Sequence, residues 1–160
     1  MEVPELSASA QKVQDTARTL GLQVAVREMA QSTRTAEEAA AACGVTVGQI
    51  VKSLVFVGAN TKKPYLLLVS GRNRVNENAV AQHLGEKLMR PAADFVRDLT
   101  GFAIGGIPPF GHDRPLSTYL DADLLTYGVV WAAAGTPRAV FAIEPARLRD
   151  AVGAKVIAVG

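Results

Sequence analysis

Ile50-Val51-Lys52-Ser53-Leu54-Val55-Phe56-Val57, the turn Ala59-Asn60-Thr61-Lys62-Lys63-Pro64 and the return Tyr65-Leu66-Leu67-Leu68-Val69 read together as a β-hairpin. Apolar and β-branched residues fill both arms, and Asn60 and Pro64 punctuate the turn between them. Lys52 is the exception. An unpaired ammonium in an apolar medium is costly, so lysine is rarely buried without a partner. Lys52 must snorkel to a surface, pair with an anion, or line a cavity that receives one. Lys62 and Lys63, at the predicted tip, need only solvation.

The elements on either side are predicted by period and by punctuation. Ala10, Val13, Ala17 and Leu20 recur at helical spacing from about Ser9, and Gly21 stops them. Leu22 to Arg27 alternates as a strand does. Thr35 with Glu38 fits a capping box opening a second helix that ends at Cys43-Gly44. Beyond the hairpin, Gly71-Arg72-Asn73-Arg74-Val75-Asn76 is a polar loop running into a helix through about Leu84, with a short helix from Ala92 to Leu99. Strands are expected at Leu116–Leu120, Val129–Ala133 and Ala139–Ile143, then a helix near Pro145–Val152 and a last strand at Lys155–Val159. Helices and strands mix without strict βαβ alternation, and no linker divides them. The pattern predicts one α+β domain over residues 1–160, built on a mixed sheet rather than a doubly wound one.

Composition narrows the function. Of 160 residues, 49% are hydrophobic and 20% charged, as in a globular domain large enough for a sizeable core. A net charge of +2 is too small to draw a polyanion by its overall field, so any such ligand needs a local patch. Cys43 is the only cysteine, which excludes an internal disulfide and a multi-cysteine metal site and reads as cytosolic. No run of about 18 apolar residues is present to span a membrane. Met1-Glu2-Val3-Pro4-Glu5 lacks the basic start of a signal peptide.

Few residues offer chemistry. The irregular segment Thr100–His112 contains Gly105-Gly106-Ile107-Pro108-Pro109, where glycines let the main chain approach a ligand and prolines stiffen the exit. Such a loop suits an oxyanion hole or carbonyl clamp, and equally a plain turn. Arg72 and Arg74 precede a helix and suit phosphate contact, or a solvated loop. His83 near Gly85 reads as a cation at a helix end. His112 closes the Gly/Pro loop and could face a ligand, yet no second ligand stands at zinc spacing, so neither a metal nor a cofactor is expected. Cys43 ends an alanine-rich helix and reads as a small core residue. Neither a Gly-x-Ser-x-Gly elbow nor a Walker or dinucleotide fingerprint occurs, so catalysis must proceed without the usual nucleophile and base.

Five segments, in order, resemble the YbaK/ProX family of bacterial aminoacyl-tRNA deacylases, relatives of the editing domain inserted in prolyl-tRNA synthetases. They are QIVKSLVF around Lys52, SGRNRVN from Ser70, GGIPPFGH from Gly105, YLDADLL around Asp121, and AAGTPRAVFAIEPARL. The resemblance covers roughly residues 9 to 159. It implies a mixed, partly closed β sheet surrounded by helices, and hydrolysis in trans of the ester joining a wrong small amino acid to tRNA. The family's lysine falls on Lys52, near the terminal adenosine and its phosphate or ester. Its Gly-x-x-x-Pro loop falls on Gly105 to Pro109, with the N–H groups of Gly106 and Ile107 orienting the scissile carbonyl or the attacking water. Ser53, Ala133 and Gly135 become pocket walls. The implied partner is the tRNA acceptor end, with or without a synthetase.

An aminoacyl ester is already activated, so stabilising its oxyanion and placing a water suffice, helped by the vicinal ribose hydroxyl. A small pocket would act as a sieve against large side chains. Lys52-Ser53 departs from the Lys-Asn pattern of alanine-specific members, and Thr136-Pro137-Arg138-Ala139 lacks the histidine that some carry there. Both departures lean towards serine, threonine or a broader small set that includes alanine and cysteine. Two other classes stay open: a non-catalytic tRNA-binding adaptor of the same fold, and an esterase for small aminoacyl compounds.

Overall fold

A computed structural model describes residues 5–160; Met1 to Pro4, part of the start read above for a signal peptide, lie outside the described residues. The hairpin forms as expected. Strand β2 (Ile50–Gly58) pairs antiparallel with β3 (Pro64–Ser70), from Val51 opposite Ser70 to Val57 opposite Pro64. Leu66 to Val69 are all fully buried, so both faces of β3 are covered, and its apolar run needs no alternation. Leu66 and Leu68 enter the larger core with Ala10, Val13, Phe141 and Leu148, while Leu67 and Val69 enter a smaller one with Phe56 and Val80.

The hairpin tip has a partner that its composition did not announce. Glu86 accepts hydrogen bonds from Asn60 N–H (3.0 Å), Thr61 N–H (3.0 Å), Thr61 Oγ1 (2.6 Å) and the Tyr65 hydroxyl (2.8 Å). These bonds, those of Thr61 foremost, hold its carboxyl down from 4.5 to about 2. A carboxyl whose pKa is lower in the folded than in the unfolded chain adds stability above pH 4.5 and loses it as the pH falls towards 2. Thermal melts across that window should therefore fall more steeply for wild type than for Glu86→Gln. Parallel curves would remove Glu86 from the tip's stability.

Six further strands complete the sheet: β1 (Arg27–Glu28), β4 (Leu88–Met89), β5 (Ser117–Asp121), β6 (Val130–Ala133), β7 (Ala139–Ile143) and β8 (Lys155–Ile157). Their order is β1-β7-β6-β2-β3-β5-β8, with β4 paired to β2 off that path. Pairing is parallel for β2–β6, β3–β5 and β5–β8, and antiparallel elsewhere, so the sheet is mixed and open, ending at β1 and β8. Helices α1 (Ala8–Thr19), α2 (Ala36–Cys43), α3 (Glu77–Leu84), α4 (Ala93–Thr100) and α5 (Pro145–Val152) lie where their periods placed them. The capping box of α2 is made, with Glu38 N–H donating to Thr35 Oγ1 and Thr35 N–H to Glu38 Oε1, both at 3.1 Å.

The strand expected at Leu22–Arg27 is corrected. Only Arg27–Glu28 pairs with another strand, β7. Leu22, Val24 and Val26 do turn towards the core, but Gln14 of α1 takes the place of a ladder. Its side-chain amide donates to Val24 O and accepts from Val26 N–H, both at 2.9 Å.

One feature of the sheet positions the site. The edge of β2 away from β3 is shared by two strands. β6 meets it at Ile50 and Val51, and β4 meets it at Val57 and Gly58. Between them the edge is uncovered.

Candidate active site

A cleft of about 620 Å³ opens where β6 parts from β2. Lys52, Ser53 and Leu54 of β2, Ala133 of β6, and Gly105 and Ile107 of the Gly/Pro loop line it, with the start of α2 and the Gly71–Arg74 loop at its rim. Residues 53 apart in sequence, Lys52 and Gly105, thus share one cavity.

Lys52 is half-buried, and its Nζ donates to the main-chain oxygen of Asn73. Burial pushes its pKa below the ordinary lysine value, with Arg74 acting in the same direction and Glu37 and Asp121 against it. The loop that receives the ammonium is itself fixed. Gly71 N–H donates to Ile50 O (2.7 Å), and the Asn73 side-chain amide donates to Asp121 and Asp123, both at 2.8 Å. Asp121, only 2% exposed, also accepts from Ser70 N–H at 3.0 Å and from Asp123 N–H at 2.9 Å. A charge buried at the end of β5 therefore sets the loop that sets the lysine. Sequence reasoning passed over Asn73 and gave Asp121 no role.

The apolar residues of the Gly/Pro loop anchor it. Phe102, Ile107 and Phe110 are buried in the larger core, and the Phe110 ring lies 5.5 Å from that of Phe141. Thr100 Oγ1 accepts from Phe102 N–H (3.1 Å) and donates to Val96 O (2.8 Å), tying the loop to α4. Gly105 has φ +96°, a conformation other residues rarely adopt, and a Cβ there would meet Arg34 Cγ at 2.7 Å.

Four expected site residues stand elsewhere. Gly106 N–H donates to Ala103 O (3.0 Å) and its oxygen accepts from Gly135 N–H (2.8 Å), so its donor is already used. Gly135 is no pocket wall: it is buried, and a Cβ there would lie 2.7 Å from Ser9 O. Pro109 is buried off the cleft wall. His112 does not face the cleft; its Nε2 lies 2.7 Å from Pro108 O, and burial foremost lowers its pKa. These four shape the loop. Ile107 N–H has no hydrogen-bond partner among the described residues.

The rim is cationic. Arg72 stands 3.9 Å from Asp123 and over the Tyr127 ring, whereas Arg74 and Arg34 form no ion pair among the described residues. Arg34 was not anticipated. Burial pushes the Cys43 thiol above its ordinary value, with Arg27 opposing, which is the reverse of an activated nucleophile. Among the described residues no group of three or more His, Cys, Asp or Glu could hold a metal ion, and no helix is long and apolar enough to cross a membrane.

Residues 30–151 match the family model of the aminoacyl-tRNA editing domain. A crystal structure of a candidate trans-editing enzyme for prolyl tRNA synthetase is 52% identical and covers 97% of this chain and 98% of its own, with a TM-score of 0.92. The uncharacterised protein YwhH of Bacillus subtilis (strain 168) is 30% identical over 131 residues, 82% of this chain and 83% of its own. EbsC of Enterococcus faecalis (strain ATCC 700802 / V583), a candidate Cys-tRNA(Pro)/Cys-tRNA(Cys) deacylase, is 30% identical over 103 residues, 62% of this chain and 61% of its own.

Proposed function

The chain belongs to the aminoacyl-tRNA editing domain family, and on that premise we propose that it acts in trans on tRNA carrying a wrong amino acid of serine, threonine, alanine or cysteine size. It hydrolyses the ester at the tRNA 3′ end, in the cytoplasm where tRNA is charged. The observation that carries this reading is the cavity that Lys52 shares with Gly105 and Ile107.

In this mechanism water adds to the ester carbonyl, the tetrahedral oxyanion collapses, and the ribose oxygen leaves with a proton. The Ile107 N–H, free of partners among the described residues, donates to the carbonyl oxygen as its charge develops. The Lys52 ammonium adds positive charge in a partly desolvated setting, where it acts more strongly than in water. No protein base is required, because the ester is activated and the vicinal ribose hydroxyl can relay the proton. Leu54 and Ala133 line the cleft, and in this reading they exclude large side chains. Arg74 and Arg34 flank the mouth and meet the terminal phosphates. With a net charge of only +2, affinity for tRNA should be weak and fall with salt.

A panel of small aminoacyl-tRNAs tests the reading, with the matching short aminoacyl esters alongside. Turnover of one or more aminoacyl-tRNAs, well above that of the short esters, is expected. Absence of turnover on every tRNA would leave a tRNA-binding adaptor, and equal cleavage of the short esters would make the protein a small-molecule esterase.

A further inference from the structure

Ser53 is where the fold leaves polar groups unmet. Its Oγ is buried and, among the described residues, is the one buried side-chain polar atom without a hydrogen-bond partner. Buried hydroxyls in folded proteins almost always have one. The main chain at Ser53 is also unpaired on one side. Ile50 O accepts from Gly71 N–H and Gly58 N–H donates to Lys63 O, so the even-numbered residues of β2 bond towards β3. Val51, Ser53 and Val55 therefore turn their N–H and C=O to the other edge. There β6 pairing ends at Val51 and β4 pairing begins at Val57.

The surroundings decide what would satisfy these groups. Ser53 lines the cleft, whose lining also includes the apolar side chains of Leu54, Ile107, Ala132 and Ala133. As a whole residue Ser53 is only half-buried, so it meets the cleft while its hydroxyl is shielded. Of the three hydroxyls on the cleft lining, Thr33 Oγ1 donates to Pro137 O and Thr35 Oγ1 accepts from Glu38 N–H, which leaves Ser53 as the one without a partner and suits a small ligand with a polar tip.

We propose that Ser53 is a specificity-determining residue, and that the cleft prefers an aminoacyl group whose small side chain carries a hydroxyl. This rests on the deacylase reading above. A seryl group would exchange a hydrogen bond with Ser53 Oγ, whereas an alanyl group of nearly the same volume would seal that hydroxyl in without a partner. The difference acts against alanine because an unsatisfied buried group is penalised.

The test compares kcat/KM for seryl and alanyl esters of one tRNAPro transcript. Wild type should favour the seryl ester by about tenfold, the worth of one hydrogen bond. Ser53→Ala should bring the ratio close to one, chiefly by loss on the seryl ester, and Ser53→Thr, which keeps a hydroxyl, should retain the preference. Ser53→Ala should also melt no lower than wild type, since the hydroxyl it removes has no partner in the fold. A lower melting temperature would assign the hydroxyl to the fold and overturn the inference. Equal use of both esters by wild type, or an unchanged ratio in Ser53→Ala, would overturn it while leaving the deacylase standing. Failure of wild type to cleave either ester would overturn the inference, while the deacylase reading falls only if the wider panel of small aminoacyl-tRNAs is also left intact.

Discussion

Lys52→Met should lower kcat for deacylation by about 10²- to 10³-fold, the usual cost of removing one preorganised group that stabilises a developing oxyanion. Methionine keeps the length and apolar bulk of the stem, so the change isolates the charge. The fold should tolerate it. Burial is the foremost cause of the lowered Lys52 pKa, which means that the folded protein disfavours the ammonium that the cleft contains. A cation whose pKa is lower in the folded than in the unfolded chain gains stability as the pH rises from the folded value towards the ordinary 10.5. At neutral pH, therefore, Lys52→Met should melt at or above the wild-type temperature. The rate gap between the two proteins should narrow as the pH climbs, beginning below 10.5, because wild type then loses the same charge. Wild-type turnover by Lys52→Met would remove the ammonium from the mechanism. A loss of rate accompanied by a loss of folding would assign it to structure.

Much of the fold was legible because it rests on short-range signals. The β2–β3 hairpin, the capping box at Thr35 and the strand at Ala139–Ile143 are each fixed by a few consecutive residues. Lys52 was legible as an anomaly for the same reason, and so was the Gly/Pro loop. What escaped depends on contacts between distant segments. Leu22–Val26 has the alternation of a strand, but a single glutamine of α1 meets its main chain, and no local pattern announces that. Gly106, Gly135 and His112 have the residue types of a site, yet each spends its polar groups or its space holding the loop. Asn73 and Arg34 look like ordinary loop residues until the fold sets one against Lys52 and the other over Gly105.

Asp121→Ala should be strongly destabilising, and it should lower the rate at a distance from the cleft. Asp121 is 2% exposed, and its two oxygens take Ser70 N–H, the Asn73 amide and Asp123 N–H. Truncation leaves the buried Ser70 N–H without an acceptor, and hydrogen bonds to a charged group contribute about 1.5 to 3 kcal/mol each. Because the donors can relax in part, a net loss of about 3 kcal/mol is expected, or roughly 10 °C in Tm for a domain of this size. The rate should fall because Asn73 is released, and the Asn73 main-chain oxygen is what directs the Lys52 ammonium. Asp121→Asn separates charge from shape. It turns one acceptor into an NH₂ group that must face another donor, whether Asn73 Nδ2, Ser70 N–H or Asp123 N–H, so it should be nearly as damaging as alanine. Melts and single-turnover rates of both variants check this. If Asp121→Asn behaves as wild type, the carboxylate charge is dispensable and shape alone holds the loop. If both variants melt normally but lose activity, Asp121 acts on the site without supporting the fold.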